Sequence, residues 1–239
     1  MCFGSVKAVE TIGTLTIVRY LFAGLRLAVA VLIIVAVVGQ LMRSVLAPSF
    51  FFFNFFGFFT IQSNLLIAGT FALTAAVSLT AMASPPWLVV ARGATVTYMA
   101  TTGIVYNLIL ANQPLGDFNV AWSNDILHRV VPIIAIVEWV LLGDHAAIPW
   151  RRLWFFLIYP IVWLIATLAR GQSFVPYPFL NTVTIGWGAV LLYCLVIAVF
   201  VAAMSALVIW LSRLHLVDPL HLPVDPREVA RRKSSQATV

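Results

Sequence analysis

The sequence predicts an all-α protein, an integral membrane bundle of six transmembrane helices, and two observations carry that prediction. Hydrophobic residues make up 62% of the 239 positions, charged residues only 9%, and mean hydropathy is +1.04. A soluble domain carries about 25% charged residues to keep its surface wet, so lipid is the main solvent of this chain. The apolar residues also fall in six runs, each near the roughly 20 residues a bilayer requires, with breaks containing Pro, Gly or Arg. Residues 1–213 therefore read as one six-helix domain. Residues 214–239 form a basic, proline-punctuated tail expected to be disordered or to lie on anionic lipid. No internal repeat is visible.

Each element follows in order. The first span covers about Tyr20 to Leu41; Arg19 can snorkel from its end, and Arg26 must find a partner or reach water. After Arg43 and Pro48 comes an unusually aromatic run, Phe50 to Phe59, which reads either as an interfacial belt or as an apolar mouth for an acyl chain. The second span continues to about Leu79 and opens on Thr60, Gln62, Ser63 and Asn64, a polar start for a membrane helix. Ser84-Pro85-Pro86 breaks the chain before a third span, about Trp87 to Ala111, whose hydroxyl residues suit helix–helix packing. A loop over Asn112–Asn124 leads to the fourth span, about Asp125 to Leu142, ended by Gly143-Asp144-His145. The fifth covers about Leu153 to Ala169, and the sixth about Ile185 to Leu211.

The formal charge of +6 does not call for nucleic acid, because the basic residues lie mainly in loops and tails. Lys7, Arg19, Arg92, Arg151, Arg152, Arg213 and the tail fall on one side, with Arg43, Arg129 and Arg170 on the other. That bias places both termini in the cytoplasm. The heads of the second and fourth spans and the Tyr177 loop then share the outer side. At 1.5 Å per residue, Thr60 lies about 8 Å and His128 about 5 Å below their helix starts. Thr60, Asn64, Asp125, His128 and Arg129 therefore share a depth. Ionisable groups inside a span are costly and usually functional, and His128 is the only histidine within an apolar run.

An aliphatic hydroxyl needs a base to become a nucleophile, and a neutral imidazole is the usual one. Thr60 as nucleophile and His128 as base make such a pair if their helices touch. Asp125 could orient the ring or pair with Arg129 four residues on. Asn64, Ser63 or backbone amides could hold an oxyanion, and the carbonyl freed by Pro132 is a further partner for the ring. Glu138 is turned about 80° from His128 on the helix, away from direct contact. No cofactor or metal is expected: a bis-histidine haem needs a second intramembrane histidine, and zinc lacks further ligands. No Gly-x-Ser-x-Gly elbow is present.

Three motifs in this order resemble those of the androgen-inducible six-span membrane hydrolases and their bacterial, Pr-six-Pr-type relatives. They are Phe59-Thr60-Ile61-Gln62-Ser63-Asn64, then His128 with Pro132 and Glu138, then Tyr159, Trp163, Gly171 and Pro176-Tyr177-Pro178-Phe179-Leu180. The resemblance spans most of the chain from the second span onward. It implies hydrolysis of fatty acid esters of hydroxy fatty acids by Thr60 and His128, in a bacterial plasma membrane. Arg129 beside the histidine, and Pro132 one place early, depart from the family pattern and leave substrate choice open. The competing expectation is a small proton-coupled carrier, or a non-catalytic membrane protein, built on Asp125, His128, Arg129 and Glu138. Carriers often show repeats and broken midplane helices, whereas here the polar groups crowd one surface.

Overall fold

The computed structural model describes residues 3–48, 50–80, 84–111, 120–142 and 144–214, with side chains from residue 17 onward. Loop residues 112–119, with Asp117, and the tail from 215 lie outside the described residues. The described chain is helical and contains no sheet. Its elements are α1 (Phe3–Val45), a short α2 (Phe52–Phe55), α3 (Phe59–Leu79), α4 (Pro86–Val105), α5 (Ala121–Asp125), α6 (Val131–Leu141), α7 (Leu153–Arg170) and α8 (Thr182–Leu211). Among the described residues, five segments are long and apolar enough to cross a bilayer: Ile17–Val45, Phe59–Leu79, Pro86–Leu110, Trp150–Ser173 and Thr182–Leu211. The expected fourth span is instead a composite, with α5 and α6 joined by a π turn at Ile126–Val130. It starts at Ala121, so Asn124, expected in a loop, is helical.

Helix α4 is the central post. Almost all of it from Leu88 to Gly103 is buried, and its Gly93, Ala94, Thr95, Thr97, Ala100, Thr101 and Thr102 are small enough for neighbours on every side. Helix α1 turns a stripe of Ala23, Arg26, Ala30, Ile33 and Val37 toward α3, at the three- and four-residue spacing of one helical face. Helices α7 and α8 form the outer wall, with Ile158, Ile161, Val162, Leu191, Leu195 and Val199 exposed as a lipid-facing helix requires. Pro160 cannot bond the Phe156 carbonyl one turn back; the Tyr98 hydroxyl of α4 donates to that carbonyl at 3.1 Å instead. Helix α8 begins at Thr182, capped by the Asn181 side chain, and breaks its helical backbone at Gly186 (φ 78°, ψ 158°), a conformation essentially confined to glycine.

Arg26 does find partners, and they form a charged cluster at the bundle end opposite Thr60. Its guanidinium contacts Glu138 at 2.5 Å and Asp144 at 2.6 Å, and donates to Ser78 Oγ at 3.2 Å. Arg92 completes the group, 2.8 Å from Asp144 and 3.8 Å from Glu138. All four charged side chains are at most 5% exposed. One expectation changes as a result. Arg92 is an internal ion-pair partner and not a surface charge that orients the chain. His145, in the break after α6, is buried with its ring stacked 4.1 Å from that of Trp139.

Candidate functional site

The head of α3 is built from side chains of α7 reaching across. Trp163 Nε1 donates to the Gly57 carbonyl at 2.8 Å, Tyr159 donates to Gln62 Oε1 at 2.9 Å, and Gln62 Nε2 donates to the Phe56 carbonyl at 2.7 Å. These bonds set the entry of α3 and hold Thr60, in its first turn, at one end of the bundle.

Two π turns bring His128 to it. One follows α4 at Tyr106–Leu110, and the other is the Ile126–Val130 turn. Pro132 has no N–H for the His128 carbonyl one turn back, and the widened turn sits at this gap. A glycine at position 103 lets the two helices close there: a Cβ on Gly103 would lie 2.9 Å from Pro132 Cβ. Asn64 then ties α3 to the π turn, its Nδ2 donating to the Leu127 carbonyl at 3.1 Å and to the Thr60 carbonyl at 2.9 Å.

Thr60 Oγ1 and His128 Nε2 are 3.1 Å apart. His128 Nδ1 lies 3.0 Å from the Asn124 carbonyl. A carbonyl only accepts, so in the neutral ring Nδ1 carries the proton and Nε2 is the bare nitrogen that receives the Thr60 hydroxyl hydrogen. This is the protonation pattern a general base needs. The Tyr106 ring stacks on the imidazole at 4.1 Å, and the Asn124 side-chain amide donates to the Tyr106 oxygen. The ring is therefore held by the Asn124 carbonyl, not by Asp125 or by the carbonyl that Pro132 frees.

The remaining expected site residues separate. Asp125 and Arg129 pair with each other and are about half exposed, 52% and 45%, while Arg129 Nε also donates to Asn107 Oδ1 at 3.1 Å. Ser63 and Asn64 are fully buried; Ser63 Oγ bonds the Thr60 carbonyl and Thr102 Oγ1, both at 3.2 Å. Their side chains lock the backbone of Thr60 and are not part of the lining of the cavity at Thr60 and His128. Glu138 belongs to the Arg26 cluster, so the constellation imagined for a carrier is not one cluster.

Thr60 and His128 line one end of an apolar cavity of about 150 Å³ between α4, α7 and α8, whose far wall includes Cys194, Ile197 and Val201. Of the Phe50–Phe59 run, Phe59 lines this cavity, Phe55 is in the core, and Phe51, Phe52 and Phe53 are exposed. No family model matches the chain, and neither does any curated protein or solved structure. The site is therefore read from its own geometry. Among the described residues no group of three or more His, Cys, Asp or Glu side chains could hold a metal ion.

Tyr177, in the loop between α7 and α8, was absent from the expected catalytic and supporting set and lines the same cavity as Thr60. Burial raises its phenol pKa, an effect partly offset by its interaction with the Thr60 side chain and the backbone of Thr60 and Phe59. The aromatic Pro176-Tyr177-Pro178 loop was visible in the sequence, but nothing there aimed it at Thr60.

Proposed function

We propose that the protein is an intramembrane hydrolase of lipid (fatty acyl) esters, with Thr60 as nucleophile and His128 as general base. The observation that carries this reading is the 3.1 Å Thr60–His128 contact, with the opposite ring nitrogen held at a carbonyl, at the end of an apolar cavity. Thr60 Oγ attacks the ester carbonyl carbon as its proton passes to Nε2. The tetrahedral adduct collapses, the leaving alkoxide takes that proton, and water cleaves the acyl-threonine by the same route. An apolar cavity suits the acyl chain and leaves the ester at the polar end. Ala121–Leu141 serves as the sixth span, with both termini cytoplasmic and the site toward the outer side. The motif likeness to the six-span hydrolases points to the same pair and to a bacterial plasma membrane.

Labelling of membranes with a fluorophosphonate probe, alongside hydrolysis of a synthetic acyl ester, tests the reading. Thr60→Ala and His128→Ala each abolish labelling and turnover while the protein still inserts, and the double variant is no worse than either single one, because the two act as a unit. Thr60→Ser keeps part of the activity. Wild-type hydrolysis by Thr60→Ala removes the hydrolase reading.

A further inference from the structure

Tyr177 is held so that little but its hydroxyl is left to act. Its ring sits 6.0 Å from Phe58 and 6.0 Å from Trp163, and stacks at 5.3 Å on Phe179. The Leu180 N–H donates to its carbonyl at 3.0 Å, closing the turn that presents it. The hydroxyl lies against the Thr60 side chain, and the N–H groups of Phe59 and Thr60 donate to its oxygen. Those two residues begin α3, which has no side-chain cap. Their N–H groups are among the first four of a helix, which have no acceptor within it. Those two N–H groups donate to the phenol oxygen and hold it beside the nucleophile, in the cavity that Tyr177 and Thr60 both line. Ser63 and Asn64, the other donors near Thr60, are occupied by backbone carbonyls.

We propose that the Tyr177 hydroxyl, held by the N–H groups of Phe59 and Thr60, donates to the oxygen of the ester carbonyl and stabilises the negative charge that develops on it, making Tyr177 a catalytic residue. This rests on the hydrolase reading above. When Thr60 Oγ bonds to the carbonyl carbon, the π pair moves to the carbonyl oxygen and the hydroxyl proton moves to His128. The new oxyanion then accepts from the phenol, which the two amides polarise by donating to its oxygen. As the carbon–oxygen bond to the leaving group breaks, the pair returns, and the phenol keeps its proton throughout. A phenol suits this task because it is a donor at neutral pH, with an ordinary pKa near 10. The loop position also explains why a residue so distant in sequence completes the site.

The test is Tyr177→Phe in the full-length, detergent-solubilised protein, which removes the hydroxyl and keeps the ring contacts. Turnover of an acyl ester falls by roughly 10²- to 10³-fold, the usual loss for one oxyanion donor, with KM little changed. Affinity for an acyl trifluoromethyl ketone, which forms the tetrahedral adduct, falls in parallel, while affinity for a non-hydrolysable ether analogue does not. A packing role would weaken both ligands alike, and that result, or unchanged turnover, overturns the assignment. If Tyr177→Phe does not fold, a fluorinated, more acidic tyrosine at position 177 replaces it. Activity is then lost at lower pH on the alkaline side, and an unmoved alkaline limb overturns the proposal equally. Thr60→Ala, measured in parallel, separates the two readings. An inactive Thr60→Ala beside a fully active Tyr177→Phe removes only the role of Tyr177, whereas an active Thr60→Ala removes the hydrolase itself.

Discussion

Replacing Arg26 with leucine tests the charged cluster that joins α1, α3, α4 and the segment after α6. In the native bundle two guanidinium groups balance two carboxylates, all of them at most 5% exposed. Without Arg26 the group carries one net negative charge. Asp144 keeps Arg92 at 2.8 Å, but Glu138 retains only Arg92 Nε at 3.8 Å, beyond hydrogen-bonding distance. Breaking a buried pair from one side costs about 3–5 kcal/mol, a factor of roughly 10² to 10³ or more in the folded ratio at 1.4 kcal/mol per decade. Removing Glu138 as well, as Arg26→Leu with Glu138→Leu, restores neutrality around Arg92–Asp144 and costs less than either single change. The coupling energy, the sum of the two single losses less the double, is then larger than either single loss and so above about 3 kcal/mol. Equilibrium unfolding in mixed micelles, with increasing SDS and followed by near-ultraviolet dichroism, measures each corner of the cycle. Additive losses, with coupling below about 0.5 kcal/mol, would refute the account, since independent sites add to within that margin.

Three further outcomes follow from the same geometry. Burial alone would raise the Asp144 carboxyl pKa, but Arg92 and Arg26 outweigh it and hold the group at about 2. Its stabilisation is complete above the unfolded value near 3.9 and is lost as pH falls from there toward 2; acid titration of stability in micelles shows this slope, and Asp144→Asn flattens it. Gly103→Ala places a Cβ 2.9 Å from Pro132 Cβ, forcing α4 from the π turn, so turnover falls by more than stability does in paired activity and unfolding assays. Tyr98→Phe orphans the buried Phe156 carbonyl and costs about 1–3 kcal/mol; adding Pro160→Ala, which restores an N–H to that carbonyl, recovers part of the loss in the same unfolding assay.

What depends on local composition was legible in the chain alone. Burying apolar residues in lipid is a property of each run alone, so the end of α3 at Leu79 and the break at Pro85-Pro86 were legible. The counted depths assumed the wrong helix starts: Thr60 stands second in α3 and His128 seven residues after Ala121, so it is their contact and not the count that puts them side by side. What tertiary structure decided was rotation about the axes and choice of partner. The π turns at Tyr106–Leu110 and Ile126–Val130 shift the faces of their helices, which ideal periodicity cannot anticipate. They present His128 to Thr60, leave Asp125 and Arg129 outside, and put Asn124 in the orienting role. Ser63 and Asn64 looked like free donors because their acceptors, Thr102 Oγ1 and the Leu127 carbonyl, lie on other helices. Arg26 and Glu138 meet across 112 residues of chain, and Tyr177 reaches Thr60 from a loop that no periodicity orients. Contacts so far apart in sequence form only when all the helices pack together, and for that reason no single stretch of the chain encodes them.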